Sequence, residues 1–282
     1  MTAFRSYALL LALFLAGCSE QPSSADSTSV EPESQAASSS TVDPQASSRG
    51  SEAAAVLNIV VFGASGKIGG LITQESIDRG HKVIGVSRNP EMLAFEAENF
   101  SAMSADLNDV ESVKKALGDA DTVIVSVTGI GEDYQPESST TAIAARTMVE
   151  AFTGDDNAPY VIQIGGASTM FEDTETMLAN FPFPAPEGSR PRGLLFGQVL
   201  ALETYEASTI PWTVLTPPPV IRGYAPNAIM DLSSVGYRTA TEFFVMGEDG
   251  KPSPVMAMDL AKAAVDEAEN KAFVGKRFTV GI

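Results

Sequence analysis

From Val56 to the end of the chain, uninterrupted apolar runs alternate with stretches whose apolar residues recur at helical spacing. The first run, VLNIVVF at Val56–Phe62, is continuous and so predicts a strand buried on both faces. Helical spacing follows over Ile68–Arg79, with Gly80 placed to end the helix. Further strands are predicted at Val83–Ser87, Phe100–Ser104, Thr122–Val127 and Tyr160–Ile164. Helices are predicted between them at Val110–Leu117, with Asn108 or Asp109 as N-cap, and at Ser138–Phe152. The second half continues with a helix at Gly193–Ser208 and a strand at Trp212–Leu215. Two short runs, Glu242–Met246 and Ser253–Met256, flank GEDGKP and predict a hairpin. A helix at Asp259–Asn270 and a strand at Arg277–Val280 close the pattern, which contains no internal repeat.

Regular alternation of strand and helix implies a doubly wound α/β domain over residues 56–282. Its sheet is expected to be mostly parallel, with helices on both faces, right-handed crossovers and a small C-terminal substrate lobe. The N-terminus follows a different pattern. Residues 1–18 carry Arg5, a short apolar core from Tyr7 to Leu15, and then Ala16-Gly17-Cys18. That core is too short for a bilayer of ~30 Å, so a cleavable signal is expected. Cys18 is the single cysteine of the chain, and Leu15-Ala16-Gly17-Cys18 resembles a bacterial lipoprotein signal in which the cysteine is lipidated. The alternatives are an ordinary secretory signal or an uncleaved apolar tail. The resemblance to lipoprotein signals implies, from Ser19 after the cysteine, an outer-membrane destination in a Gram-negative cell. Residues 19–55 are rich in Ser, Ala, Glu and Pro and lack aromatic residues, which predicts a disordered tether.

Composition narrows the chemistry. The 282 residues include 36 acidic and 18 basic side chains, a formal net charge of −18. Such a surface disfavours nucleic acid as a partner, because phosphate neutralisation needs clustered Lys and Arg. One cysteine and one histidine leave no disulfide framework and no Cys- or His-rich metal site.

Directly after the first predicted strand stands Gly63-Ala64-Ser65-Gly66-Lys67-Ile68-Gly69. The G-x-x-G-x-x-G spacing, between a strand and a helix, predicts a dinucleotide-binding turn of the Rossmann fold. Gly63 permits the turn, Gly66 lets the backbone approach a pyrophosphate, and Gly69 lets helix and sheet pack closely. The helix N-terminus offers its amides to phosphate. Without a ligand, the same residues make a tight strand-to-helix turn. The second strand ends Ser87-Arg88-Asn89-Pro90, with no acid to bond ribose hydroxyls. Arg88 stands where a guanidinium can hold a 2′-phosphate, which favours NADP over NAD. Otherwise Arg88 is a solvated surface residue.

These residues resemble the atypical short-chain dehydrogenase/reductase group, in particular its NmrA-like NAD(P)H-binding proteins, also described as NADH-flavin reductases. The resemblance runs over nearly all of residues 57–282. It rests on GASGKIGG, Ser104-Ala105-Asp106-Leu107, DTVIVSVTG at Asp121–Gly129, and Gly165-Gly166-Ala167-Ser168. Pro211-Trp212-Thr213 through Pro217, Asp259-Leu260-Ala261, and Arg277–Gly281 extend it. It implies that Asp106 and Leu107 lie near adenine, and that Thr128 and Gly129 line the nicotinamide half. The implied activity is NADPH-dependent hydride transfer to a flavin, a quinone or a small carbonyl compound.

Catalytic side chains are scarce. The Tyr-x-x-x-Lys pair of typical members is absent: Tyr205 is followed four residues on by Thr209. Ser168 is the best remaining polar candidate to hydrogen-bond a substrate carbonyl; it is equally suited to cap a turn. Thr128 is expected in the same cleft. His81, Glu132, Asp133, Asp155 and Asp156 are expected to be solvated loop residues, and Trp212 to lie in the core. An export signal and a nicotinamide site pull apart, since reduced cofactor is a cytoplasmic commodity. Three readings follow: an envelope oxidoreductase, a non-catalytic ligand-binding lipoprotein that keeps the cleft, or a cytoplasmic enzyme whose Cys18 is incidental.

Overall fold

The computed structural model describes residues 55–171, 173–180, 184–224 and 230–282. The expected signal with Cys18 and the tether to residue 54 lie outside the described residues. Strands β1 (Asn58–Phe62), β2 (Lys82–Val86), β3 (Phe100–Met103), β4 (Thr122–Val125), β5 (Tyr160–Ile164) and β6 (Trp212–Thr216) appear in the expected order. Short strands β7 (Ile221–Arg222), β8 (Arg238–Ala240) and β9 (Val255–Met256) precede β10 (Lys276–Gly281). The main sheet has the order β3-β2-β1-β4-β5-β6-β10-β8, in which only the β10–β8 pairing is antiparallel. The order reverses between β1 and β4, and there the sheet opens a crevice at its carboxyl end.

Among the described residues the α-helices are α1 (Lys67–Asp78), α2 (Val110–Leu117), α3 (Thr140–Phe152), α4 (Thr174–Asn180), α5 (Arg190–Glu206) and α6 (Ala257–Asn270). The unbroken apolar run of β1 has a simple cause. Ile59 and Val61 enter a core with Ile72 of α1 and Leu260 of α6. Val60 and Phe62 enter a second core with Val113 of α2, Met148 of α3 and Tyr205 of α5. Both faces are apolar because both are covered. Gly80, at φ +83, ends α1 as expected, with its N–H donating to Ile77 O at 2.9 Å. Asp109 is the N-cap of α2, accepting from the backbone N–H groups of Glu111 and Ser112.

Two expectations need correction. GEDGKP does form a tight turn, but it closes only a single bridge, Met246 to Pro252. The following Val255–Met256 pairs instead in parallel with β7 and runs directly into α6. His81 is not solvated: it is 1% exposed. Its Nδ1 accepts from Leu57 N at 3.3 Å, and its Nε2 meets Glu269 Oε1 at 3.0 Å. It belongs to a cluster in which Arg79 bridges Glu75 of α1 to Asp266 and Glu269 of α6. Burial by itself works against the Arg79 cation, but Asp266, Glu75 and Glu269 outweigh it and hold its pKa above the ordinary value. Among the described residues, no helix is long and apolar enough to cross a membrane.

Candidate nucleotide-binding cleft

The turn between β1 and α1 is held by backbone. Gly63 and Ala64 donate to Val86 O at 3.0 and 3.3 Å, and Gly66 donates to Gly63 O at 2.8 Å. Gly63 lies at φ +84, and a Cβ there would overlap the backbone carbonyl of Ser126. A Cβ on Gly69 would overlap the carbonyl of Gly63. Gly66 is the N-cap of α1 and supplies no side chain to cap it, so the first turn presents its amides to the crevice. Ser87, at the end of β2, ties the turn from the other side. Its Oγ donates to Ser65 Oγ at 3.0 Å and accepts from Asn89 N at 3.3 Å.

A cleft of about 730 Å³ opens above this turn. It is lined by Gly63, Ser65 and Gly66, by Ser87 and Arg88, by Ser104–Asn108, and by Ser126–Gly131 with Thr140 and Ile143. A second cavity of about 410 Å³ adjoins it beyond Arg88, between Ala64–Gly66, Asn89 and Met92–Phe95. Arg88 lines both cavities; it is exposed and has no hydrogen-bond or ion-pair partner among the described residues. Asp106 is also exposed. Its carboxylate accepts from Asn108 N and Nδ2, both at 2.9 Å, and these bonds hold its pKa below the usual carboxylate range. Leu107, Thr128 and Gly129 stand along the same cleft. Ala64 lines only the adjoining cavity. Lys67, Ile68 and Gly69 form the first turn of α1 behind the lining, with Lys67 Nζ 5.7 Å from the ring centroid of Tyr224.

Of the expected site residues, Gly63, Ser65, Gly66, Arg88, Asp106, Leu107, Thr128 and Gly129 line one cleft, whereas Ala64 lines the adjoining cavity, Lys67–Gly69 stand behind the lining, and the last, Ser168, lies outside both. That residue lies in the 3-10 turn Ala167–Met170 after β5 and is 2% exposed. Among the described residues its Oγ has no hydrogen-bond partner, so it caps no turn there. No phenol–lysine pair occupies α5. Tyr205 is buried in the core, stacked on Trp212, and donates to Gln163 Oε1 at 3.0 Å. Burial pushes its pKa up. Nearer the crevice, α5 carries Gly193 and Gly197 instead. Any Cβ there would overlap Tyr134 O and Ile130 or Ser139 Oγ, so the loop after β4 fills that face of the helix. Spacing alone gives no sign of this filling.

The cleft fits a nicotinamide dinucleotide on its own geometry. It has a cradle that a Cβ would block, an uncapped helix N-terminus and an unpaired guanidinium at the end of β2.

The NAD(P)H-binding family matches residues 63–230, more than half of the chain. A curated relative, the uncharacterized protein YwnB of Bacillus subtilis (strain 168), is 24% identical over 235 residues, which is 79% of this chain and 98% of that one. Among solved structures, one from Burkholderia pseudomallei, described as a "putative exported protein", is 26% identical with a TM-score of 0.61. That match covers 80% of this chain and 100% of the other. A structure from Streptococcus pneumoniae TIGR4, described as a "putative NADH-flavin reductase", is 23% identical with a TM-score of 0.62 and covers 79% and 98%.

Proposed function

The chain belongs to the NAD(P)H-binding family, and on that premise we propose that it is an NADPH-dependent reductase of the NmrA-like, NADH-flavin-reductase kind. Arg88 carries the cofactor preference. It stands unpaired at the end of β2, between the main cleft and the cavity beside it, where no acid at Ser87–Pro90 competes for the ribose. The amides of the glycine turn hold the diphosphate, and Asp106 and Leu107 flank the adenine. Thr128 and Gly129 line the nicotinamide half, with Thr128 the hydroxyl closest in role to a catalytic one. When bound, reduced nicotinamide supplies a hydride, which a flavin, quinone or small carbonyl acceptor takes together with one proton from water. An acceptor of the flavin or quinone type needs little general-acid help, in keeping with the missing pair on α5.

A calorimetric titration of the full-length chain with NADPH and NADH tests this. NADPH binds more tightly, by about tenfold, the size of one charge-assisted contact to the 2′-phosphate. Arg88→Ala narrows that gap without abolishing NADH binding. Equal affinities in the unmodified protein overturn the NADP assignment. NADPH binding without turnover on any flavin, quinone or carbonyl compound leaves the second reading, a ligand-binding protein that retains the cleft.

The proposal extends to location. Cys18 carries lipid and tethers the domain to the cell envelope, and the likeness to the Burkholderia structure described as a "putative exported protein" supports export. Mass spectrometry of the mature chain is then expected to find a lipid-modified Cys18 as its first residue, lost in Cys18→Ser. An N-terminus still beginning at Met1 rules the anchor out.

A further inference from the structure

The cavity beyond Arg88 is built by the chain between β2 and β3. β2 ends at Val86, and the 3-10 turn Pro90–Met92 sends the backbone towards β3. Leu93 and Phe95 of that return pack against the core beside Phe100, whose ring centroid is 5.0 Å from that of Phe95. Met92 is left 72% exposed. Gly70 of α1 lines the same space of about 410 Å³. Outside its own helix and chain neighbours, a Cβ on Gly70 meets only Ala64 O, at 3.4 Å.

The walls do not suit a phosphate alone. Ala64, Met92, Leu93 and Phe95 give them an apolar character. The hydroxyls at the mouth are already engaged: Ser87 Oγ donates to Ser65 Oγ at 3.0 Å and accepts from Asn89 N at 3.3 Å. Arg88 is unpaired, and among the described residues no acidic side chain lines the cavity. A 2′-phosphate engages the guanidinium where cavity and cleft meet, and leaves the apolar walls bare. Small-molecule sites of roughly 300–1,000 Å³ combine such walls with one orienting polar group.

We propose that this cavity is a second ligand site, and that it takes a small monocarboxylic acid with an apolar body. The carboxylate pairs with Arg88, and the hydrocarbon lies against Met92, Leu93 and Phe95. The proposal rests on the NADPH reading above in one respect. Two anions on one guanidinium repel each other, so the acid and the 2′-phosphate exclude one another. The acid is therefore a selective competitor of NADPH, and NADH, which lacks that phosphate, escapes it.

Octanoate and octanamide test this, because they share a chain and differ in charge. Each is titrated calorimetrically into the full-length chain, alone and then with NADPH or NADH. Octanoate binds about tenfold more tightly than octanamide. Saturating octanoate weakens NADPH binding by about tenfold and leaves NADH affinity unchanged. Arg88→Ala removes the preference for octanoate, whereas Arg88→Lys, which keeps the charge, retains part of it. Gly70→Leu fills the cavity and abolishes binding of both probes. Met92→Ser, at an exposed position, weakens both by about threefold and leaves NADPH affinity unchanged. Equal binding of the two probes, a preference that survives Arg88→Ala, octanoate binding untouched by Gly70→Leu and Met92→Ser, or equal losses of NADH and NADPH affinity each overturn the proposal. If NADPH binds more tightly than NADH and octanoate does not bind, the second site alone fails. If octanoate obeys the variants while neither dinucleotide binds, the NADPH reading alone fails.

Discussion

At the scale of single residues, glycines show how a turn can be specific without any side chain. Gly69 has ordinary helical backbone, yet a Cβ there would strike the carbonyl of Gly63. Gly80 has φ +83 but open space around its missing Cβ. The two positions should therefore fail differently. Gly80→Ala should cost about 1 kcal/mol of stability through backbone strain alone and leave NADPH affinity intact. Gly69→Ala should displace the turn and weaken NADPH binding by about tenfold or more, the size of one lost backbone-to-phosphate bond. Thermal denaturation and calorimetry on both variants separate the effects, and matching losses of affinity would contradict the assignment. His81 carries the opposite lesson. A lone polar residue beside Gly80 suggests solvent, but its exposure is decided by Leu57 and Glu269, which lie far from it in the chain.

At the scale of elements, the long apolar runs are faithful guides because the central strands of the parallel sheet are covered on both sides. β1, β4 and β5 emerge within a few residues of their expected ends. Helix α6 is held at its far end by one buried carboxylate. Glu267 accepts from Tyr160 Oη at 2.5 Å, Phe273 N at 2.9 Å and Ala272 N at 3.1 Å. Glu267→Ala strands three donors in the interior and should remove about 3 kcal/mol of stability, whereas Glu267→Gln, which keeps an acceptor oxygen, should lose less. Urea unfolding midpoints measure this, and an Ala variant within about 1 kcal/mol of the parent would show that water replaces the carboxylate. The short strands β7 and β8 escaped sequence reasoning, and β9, expected within Ser253–Met256, was assigned the wrong partner, because their partners are non-local. A two-residue strand has no periodicity to detect.

At the scale of the whole molecule, burial of titratable groups sets the pH range of the fold. The pKa values of Tyr160, Tyr205 and Tyr237 are all raised, by burial first, and for Tyr160 and Tyr237 also by the carboxylates of Glu267 and Asp266. A phenol whose folded-state pKa is raised contributes stability that is present below its ordinary value and lost above it. Stability should accordingly fall as pH rises above 10, the ordinary tyrosine value. Absorbance of phenolate near 295 nm should show these three of the six tyrosines ionising only together with the loss of structure. Smooth titration of all six in the native state would disprove their burial. Asp106 acts in the other direction. Its lowered pKa adds a contribution that is present at neutral pH and lost on acidification below the carboxylate range, and its exposure keeps that contribution small.

The amino-acid sequence determined the parallel α/β architecture and the glycine turn, because both are written in local patterns: apolar period, β-branched runs and glycines at fixed spacing. It also determined which residues gather at the turn, since the end of β2 and the start of α1 are adjacent by topology. Tertiary structure alone decided what depends on distant partners. It buried His81 against Glu269, filled the glycine face of α5 with the loop after β4, and left Ser168 without a hydrogen bond among the described residues. It also set Arg277 of the last strand between Thr169 and Thr241. The reason is physical: local spacing fixes backbone conformation, whereas desolvation and hydrogen-bond satisfaction are sums over neighbours that only the folded chain brings together.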